Sequence, residues 1–306
     1  MHVIMYHRVL ESPQKNTHGV TVEEFNRQID ILTTHLKPIS SEELVSLATK
    51  KTPPKENSFH LTFDDGTKDH YTLVSEILDK KGITASFFPV LGPITEKKVN
   101  TLEKQRYLQY EAFSDYKEFL NQFLHFASSS LNAEAVKIAS QKAKHYLNEH
   151  SFYSDDERLF RYIRNEILKP QEFALVIDAM FEKAGINERE FIENNFLTKD
   201  EITKLSSAGH TIGGHTWSHV RLPEQDPNRQ IEEISLAHQA LETLLKKPVT
   251  SFAYPFGDFT LESKNFLSES NIKVSFITAN RLCLPSDEWQ LIPRLDASIF
   301  SSLVFK

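Results

Sequence analysis

Two hydrophobic periods share most of this chain. Short apolar runs, the mark of buried strands, recur between longer stretches with the period of amphipathic helices. The runs fall at Val3–Tyr6, Phe59–Phe63, Ile83–Val90, His210–Gly213, Thr250–Tyr254 and Lys273–Thr278, the last reading as the final strand. Among the helices, Thr21-Val22-Glu23-Glu24 is a capping box that opens one to about His35, and Ser40-Ser41-Glu42-Glu43 opens a shorter one. His70–Lys81 is a helix stopped by Gly82, and Thr198-Lys199-Asp200-Glu201 caps another that ends near Gly209. Gln230–Lys246 and Leu261–Ser270 complete the set. Strand and helix in regular turn predict a parallel sheet or a (β/α) barrel, where working residues gather at the C-terminal ends of the strands.

The alternation stops in the middle of the chain. No glycine occurs from 93 to 184. Tyr107, Tyr110, Phe113, Tyr116, Phe119, Leu120, Phe123 and Leu124 repeat at helical spacing, and further helices are expected at Ala133–Asn148, Asp155–Leu168 and Gln171–Lys183, with Pro170 as a break. We therefore read residues 93–196 as an all-helical insert in a barrel domain built from 1–92 and 197–306. The plain account of the aromatic stripe is packing between insert helices. A lid, a face for a homo-oligomer and a lipid-facing surface are the alternatives.

Composition narrows the function classes. With 306 residues, 40% apolar and 25% charged, the chain has the make-up of a soluble globular protein with a substantial core. A net charge of −7 argues against nucleic acid, since phosphate binding needs a basic surface. One cysteine, Cys283, excludes an internal disulfide and fits a reducing compartment. Met1–Tyr6 has no basic start, and no stretch approaches the ~20 apolar residues of a membrane span. A cytoplasmic protein is the expectation.

The chemistry concentrates in two places. Ser58-Phe59-His60-Leu61-Thr62-Phe63 runs into Asp64-Asp65-Gly66. Two ionised carboxylates side by side repel, and need a cation or a strong donor nearby. Gly66 allows a sharp exit. The arrangement suggests a division of labour in which one Asp binds a metal and the other handles a proton. His215 and His219 lie four apart, so that on one helical turn both imidazoles would face one ion. Two imidazoles and one carboxylate form a metal set with open positions for water and substrate.

Thr62–Gly66 and His215-Thr216-Trp217-Ser218-His219 resemble the first two motifs of the polysaccharide deacetylase family (NodB homology, carbohydrate esterase 4). Ala253-Tyr254-Pro255-Phe256-Gly257 resembles its third motif, and Met5-Tyr6-His7-Arg8-Val9 the opening of one of its branches. The likeness covers about residues 1–91 and 197–296 and implies a distorted, seven-stranded NodB-like (β/α) barrel. It also implies that Asp65, His215 and His219 hold a divalent ion and that Asp64 is the general base. Zinc is the default ion, with cobalt, nickel, manganese or iron accepted by the same ligands. Two features depart from the common pattern. The arginine of the third motif is replaced by Ala253, and the C-terminal Leu-x-His is absent; Leu291-Ile292-Pro293-Arg294-Leu295 follows the last strand instead. A circularly permuted branch would close both gaps, with His7 as the acid and Arg294 as the cation beside Asp64. Tyr254, Pro255, Phe256 and Gly257 would line the substrate site, a backbone N–H there would hold an oxyanion, and Trp217 would either stack on a sugar or pack.

The expected activity is metal-dependent hydrolysis of an N-acyl, above all N-acetyl, group on an amino-sugar or glycan. A deformylase, or another amide hydrolase acting on a lipid-linked sugar or small amide, would carry the same residues. An iron oxygenase shares the ligand types but has no need of Asp64, and a carbohydrate-binding protein with a decayed site has no need of the intact set.

Overall fold

The computed structural model describes residues 1–13, 19–147 and 153–300, and by internal contacts these divide into two units, Met1–Lys98 with Ile192–Lys306 and Val99–Phe191. Among the described residues, seven parallel strands form the barrel of the first unit: β1 (His2–Tyr6), β2 (Ser58–Asp65), β3 (Ser86–Pro89), β4 (Thr211–Ile212), β5 (Ser251–Ala253), β6 (Val274–Thr278) and β7 (Ile292–Asp296), while the short Lys37–Pro38 also pairs with β2. Each of β1, β2, β3, β5 and β6 pairs with the next of these strands in the sequence, β3 with β4 across the insert, and β7 returns to β1 through Ile4 opposite Leu295. The circle closes just past β4. There Gly214 N–H donates to the Ser251 carbonyl at 3.0 Å, and Ala253 N–H donates to the Gly214 carbonyl at 2.9 Å. The result is a distorted (β/α) barrel.

The strands alternate as the pleat requires. Outward from β1, β2 and β3 point Tyr6, Phe63 and Phe87, whose rings stack at 5.2 and 4.8 Å, and Phe25 of helix α1 (Val22–His35) packs edge-on to Tyr6 at 5.0 Å. Each such buried ring contributes roughly 1.5–3 kcal/mol. Inward from β2 point His60, Thr62 and Asp64; Nε2 of His60 meets Ser86 Oγ at 2.9 Å, and Thr62 lies 3.3 Å from Arg294. One strand thus presents an apolar face to the helices and a polar face to the barrel interior.

The helices start where their caps predict. Thr21 caps α1, Ser40 caps α2 (Ser41–Thr49), and α3 (Ser75–Lys81) ends at Gly82 with φ +64°. A full Thr198–Glu201 capping box opens α4 (Lys199–Ser207), while Asp226 and Thr260 open α5 (Pro227–Leu245) and α6 (Leu261–Glu269). The first turn expected of α3, His70–Val74, is a π-helical turn.

Two expectations are corrected. Lys273–Thr278 is not the last strand, because β7 follows it. Its Pro293 lacks a ladder donor and its Arg294 is charged, so no strand pattern shows. Its burial nevertheless leaves Arg294 fully inside. The segment of His215 and His219 is also not helical: residues 213–221 form a loop.

In the second unit the described residues form helices, including Thr101–Tyr110, Tyr116–Phe126, Ala133–Ala143, Asp155–Tyr162 and Pro170–Lys183. Pro170 occupies the first turn of the last of these, where its missing N–H costs nothing. Asn148, the expected end of one helix, lies outside the described residues. Phe119 and Phe123 are fully buried and pack edge-on against Phe160 at 5.1 and 4.9 Å, so this part of the aromatic stripe is core.

Candidate active site and metal centre

Asp64 and Asp65 end β2, and the strand's alternation would send them to opposite faces. Asp65 escapes that rule by adopting φ +71°, and Gly66 follows at +73°. A left-handed Asp is uncommon, and strain of this kind collects at functional sites. Gly66 has no alternative, because a Cβ there would sit 2.7 Å from the Pro89 Cα. Both carboxylates are buried.

Their partners differ. Arg294 grips Asp64 with two parallel bonds, Nη1 to Oδ1 and Nη2 to Oδ2, each 2.7 Å. Burial alone would push the Asp64 carboxyl up, but the charges of Arg294, His215 and His7 and the Arg294 hydrogen bonds outweigh it and hold the carboxyl below its ordinary value. Asp65 instead turns Oδ1 toward two imidazoles, 3.5 Å from His215 Nε2 and 3.1 Å from His219 Nε2.

Nε2 points inward at His215 for a stated reason: Nδ1 donates to the Ala253 carbonyl at 2.7 Å, which fixes ring and tautomer. The donor atoms of Asp65, His215 and His219 lie within 4.8 Å of one another. Two imidazoles and a carboxylate, converged and oriented in this way, fit a divalent transition ion. Burial disfavours a charged His215, yet the Asp64 and Asp65 carboxylates and the Ala253 carbonyl raise its pKa above the ordinary imidazole value. A proton and a cation thus compete for Nε2.

The two histidines converge through a loop in which Thr216 and His219 have φ +62° and +58°. Glu233 of α5, which the motif reading overlooked, anchors it by accepting the N–H groups of Trp217 and Ser218 at 3.0 and 2.8 Å. The signal was present: Gln230, Glu233, Ile234, Ala237 and Leu241 form one buried helix face, and a glutamate there requires polar partners.

The remaining residues divide. His7 follows β1, its carbonyl accepting from Thr67 Oγ1 at 3.2 Å and lying 2.6 Å from His70 Nε2, and its charge reaches Asp64. Phe256, 41% exposed and at φ +61°, lies with its ring 4.9 Å from that of His219 and walls the site. Gly257 is required at φ +77°, since a Cβ would meet the Thr278 nitrogen at 2.4 Å. Tyr254 is fully buried between Phe252 and Phe259 and Pro255 is buried too, so neither side chain faces solvent. Trp217 directs its indole N–H to Glu96 at 2.8 Å and packs over Gly92.

Residues 51–162 and 170–275 match the profile of the polysaccharide deacetylases. The chain belongs to the polysaccharide deacetylase family. Membership places it among hydrolytic deacetylases of the NodB, carbohydrate esterase 4 group. The matched stretches contain Asp64, Asp65, His215, His219 and Tyr254–Gly257, whereas His7 and Arg294 lie outside them. No curated protein matches the chain. Among solved structures, the deacetylase PplD of Streptococcus pyogenes in complex with acetate is 14% identical, with a TM-score of 0.60 over 97% of this chain and 91% of that one. IcaB of Ammonifex degensii is 15% identical, with a TM-score of 0.58 over 98% and 93% of the two chains. A de-N-acetylase of Aggregatibacter actinomycetemcomitans is 14% identical, with a TM-score of 0.54 over 97% and 95%. At these identities the likeness is one of fold. No helix among the described residues is long and apolar enough to cross a membrane.

Proposed function

We propose that this family member is a divalent-metal-dependent amide hydrolase that removes an N-acyl group, above all acetyl, from an amino-sugar of a glycan. The observation that carries the reading is the juxtaposition at the end of β2: Asp65 facing two histidines, and Asp64 beside it gripped by a buried arginine. A divalent ion on Asp65, His215 and His219 would supply Lewis acidity, sharpening the acyl carbonyl toward attack and making water more acidic; zinc is the first choice.

The chain's own groups do the rest. Asp64, ionised and oriented by Arg294, takes the proton from the attacking water. His7, after β1, gives a proton to the leaving amine. In the Tyr254–Gly257 turn the N–H groups of Tyr254 and Gly257 are bonded to the carbonyls of Phe276 and Tyr254, and Pro255 has none, which leaves Phe256 N–H as the turn's donor for the developing oxyanion. Phe256 covers one side of the substrate. Neither a binding protein nor an oxygenase needs the Asp64–Arg294 pair.

The test is acetate release from N-acetylated amino-sugar oligomers by protein reconstituted with zinc or cobalt. We expect turnover in the wild type and a loss of about 10²–10⁴ in Asp64→Asn, the usual worth of a general base. Equal rates in the two proteins would remove Asp64 from the mechanism. No release of any acyl group by the loaded wild type would overturn the hydrolase reading.

A further inference from the structure

The loop from His215 to His219 lacks the support of a regular element. Thr216 and His219 adopt left-handed conformations, uncommon for any residue with a Cβ and more so for a β-branched one. Such a conformation persists only where its surroundings over-determine it. Glu233, with no exposed surface, provides the constraint from α5. Its Oε2 accepts both backbone N–H groups, of Trp217 at 3.0 Å and of Ser218 at 2.8 Å. Its Oε1 accepts the Ser218 hydroxyl at 2.6 Å and Nη2 of Arg229, one turn earlier on α5, also at 2.6 Å. From another direction Gly92 N–H donates to the Trp217 carbonyl at 2.7 Å. A Cβ on Gly92 would lie 2.6 Å from that oxygen, so only glycine permits the approach.

All these contacts fall between the two histidines of the metal centre. We propose that Glu233, balanced by Arg229, is a positioning residue that sets the separation and direction of the His215 and His219 imidazoles. The proposal rests on the metal-centre reading above. A loop that merely needed covering would be served by an apolar residue, like the Ile234 and Ala237 that share this helix face. A buried carboxylate carries a desolvation cost, and here both its oxygens are fully used on one short loop and one arginine. Removing it frees the two central N–H groups, so the imidazoles lose convergence before the barrel loses its fold.

The experiment measures cobalt(II) binding to metal-stripped wild type, Glu233→Ala and Glu233→Gln. The readouts are Kd by chelator competition, the visible absorption band of the bound ion, and the melting temperature of the metal-free proteins. Groups that orient metal ligands are worth about 10–100-fold in affinity, so Glu233→Ala should weaken cobalt by that factor and alter the band. Glu233→Gln keeps an acceptor oxygen for the two N–H groups and should lose about tenfold or less. A purely structural role would lower the melting temperature and leave the Kd and band of the folded protein unchanged, and that result overturns the proposal. If Glu233→Ala does not fold, Glu233→Asp reads the same effect, since it keeps the charge but withdraws the carboxylate by one methylene from the two N–H groups; an unchanged band and Kd there overturns it as well. Failure of the wild type itself to bind cobalt would instead overturn the metal centre, and this proposal with it.

Discussion

Asp64 and Arg294 together form a buried ion pair, and such pairs are unforgiving of one-sided change. Arg294→Met would leave Asp64 buried among a carboxylate and two imidazoles without its main cation. The loss should reach about 3–5 kcal/mol in unfolding free energy, as for other buried pairs broken on one side. The pH dependence has a definite sign. The folded Asp64 carboxyl lies below its ordinary value, so its stabilisation is present above the unfolded pKa and disappears as pH falls through the folded one. Without Arg294 the burial effect dominates and the carboxyl rises, so the acid limb of kcat/KM should move to higher pH. An unmoved limb in Arg294→Met would show that the pair does not tune the base. At this scale the sequence was informative wherever chemistry is costly: adjacent acids at a strand end and paired histidines stand out. Arg294 could be named only through the gap left by Ala253. Glu233 becomes legible only with the apolar spacing of Ile234, Ala237 and Leu241 on its helix face, because a glutamate on a helix is otherwise ordinary.

The elements were legible in existence more than in detail. Caps at Thr21, Ser40 and Thr198 marked helix starts because their side chains satisfy the first free N–H groups. The i, i+4 spacing of His215 and His219 predicts a helix, because it brings side chains together there, but a loop with two left-handed residues achieves the same convergence. β7 leaves no strand pattern because Pro293 and Arg294 hide a strand whose polar side chain serves the barrel interior. Turn geometry allows a direct prediction. Gly257→Ala imposes both a Cβ clash with the Thr278 backbone and an unfavourable φ of +77°. It should cost about 2 kcal/mol or more by the combined strain and overpacking, read by chemical denaturation. A cost below about 0.5 kcal/mol, the range of ordinary surface changes, would mean the Phe256–Gly257 turn relaxes freely and does not hold Phe256 against His219.

Across the whole molecule, strand–helix alternation revealed the barrel, whereas its closure at Gly214 depends on one residue beyond a two-residue strand and leaves no sequence pattern. One buried and one half-buried histidine give the fold a pH response of its own. Burial lowers His60 to about 4, partly offset by its bond to the Ile39 carbonyl, and lowers His238 to about 4 as well. The unfolded chain therefore binds these protons first, and stability should fall as pH drops from about 6.5 toward 4. His60 alone accounts for up to about 3 kcal/mol across that window, and His60→Gln should flatten the dependence. A dependence equally steep in both proteins would assign it elsewhere. The central claim is that Asp65, His215 and His219 form a metal centre, and its most direct test is the metal content of the purified protein after reconstitution, wild type beside His215→Ala. The account predicts about one divalent ion per chain in the wild type and a marked loss in the variant. A wild type that holds no zinc, cobalt or nickel, or a variant that holds as much as the wild type, would contradict it.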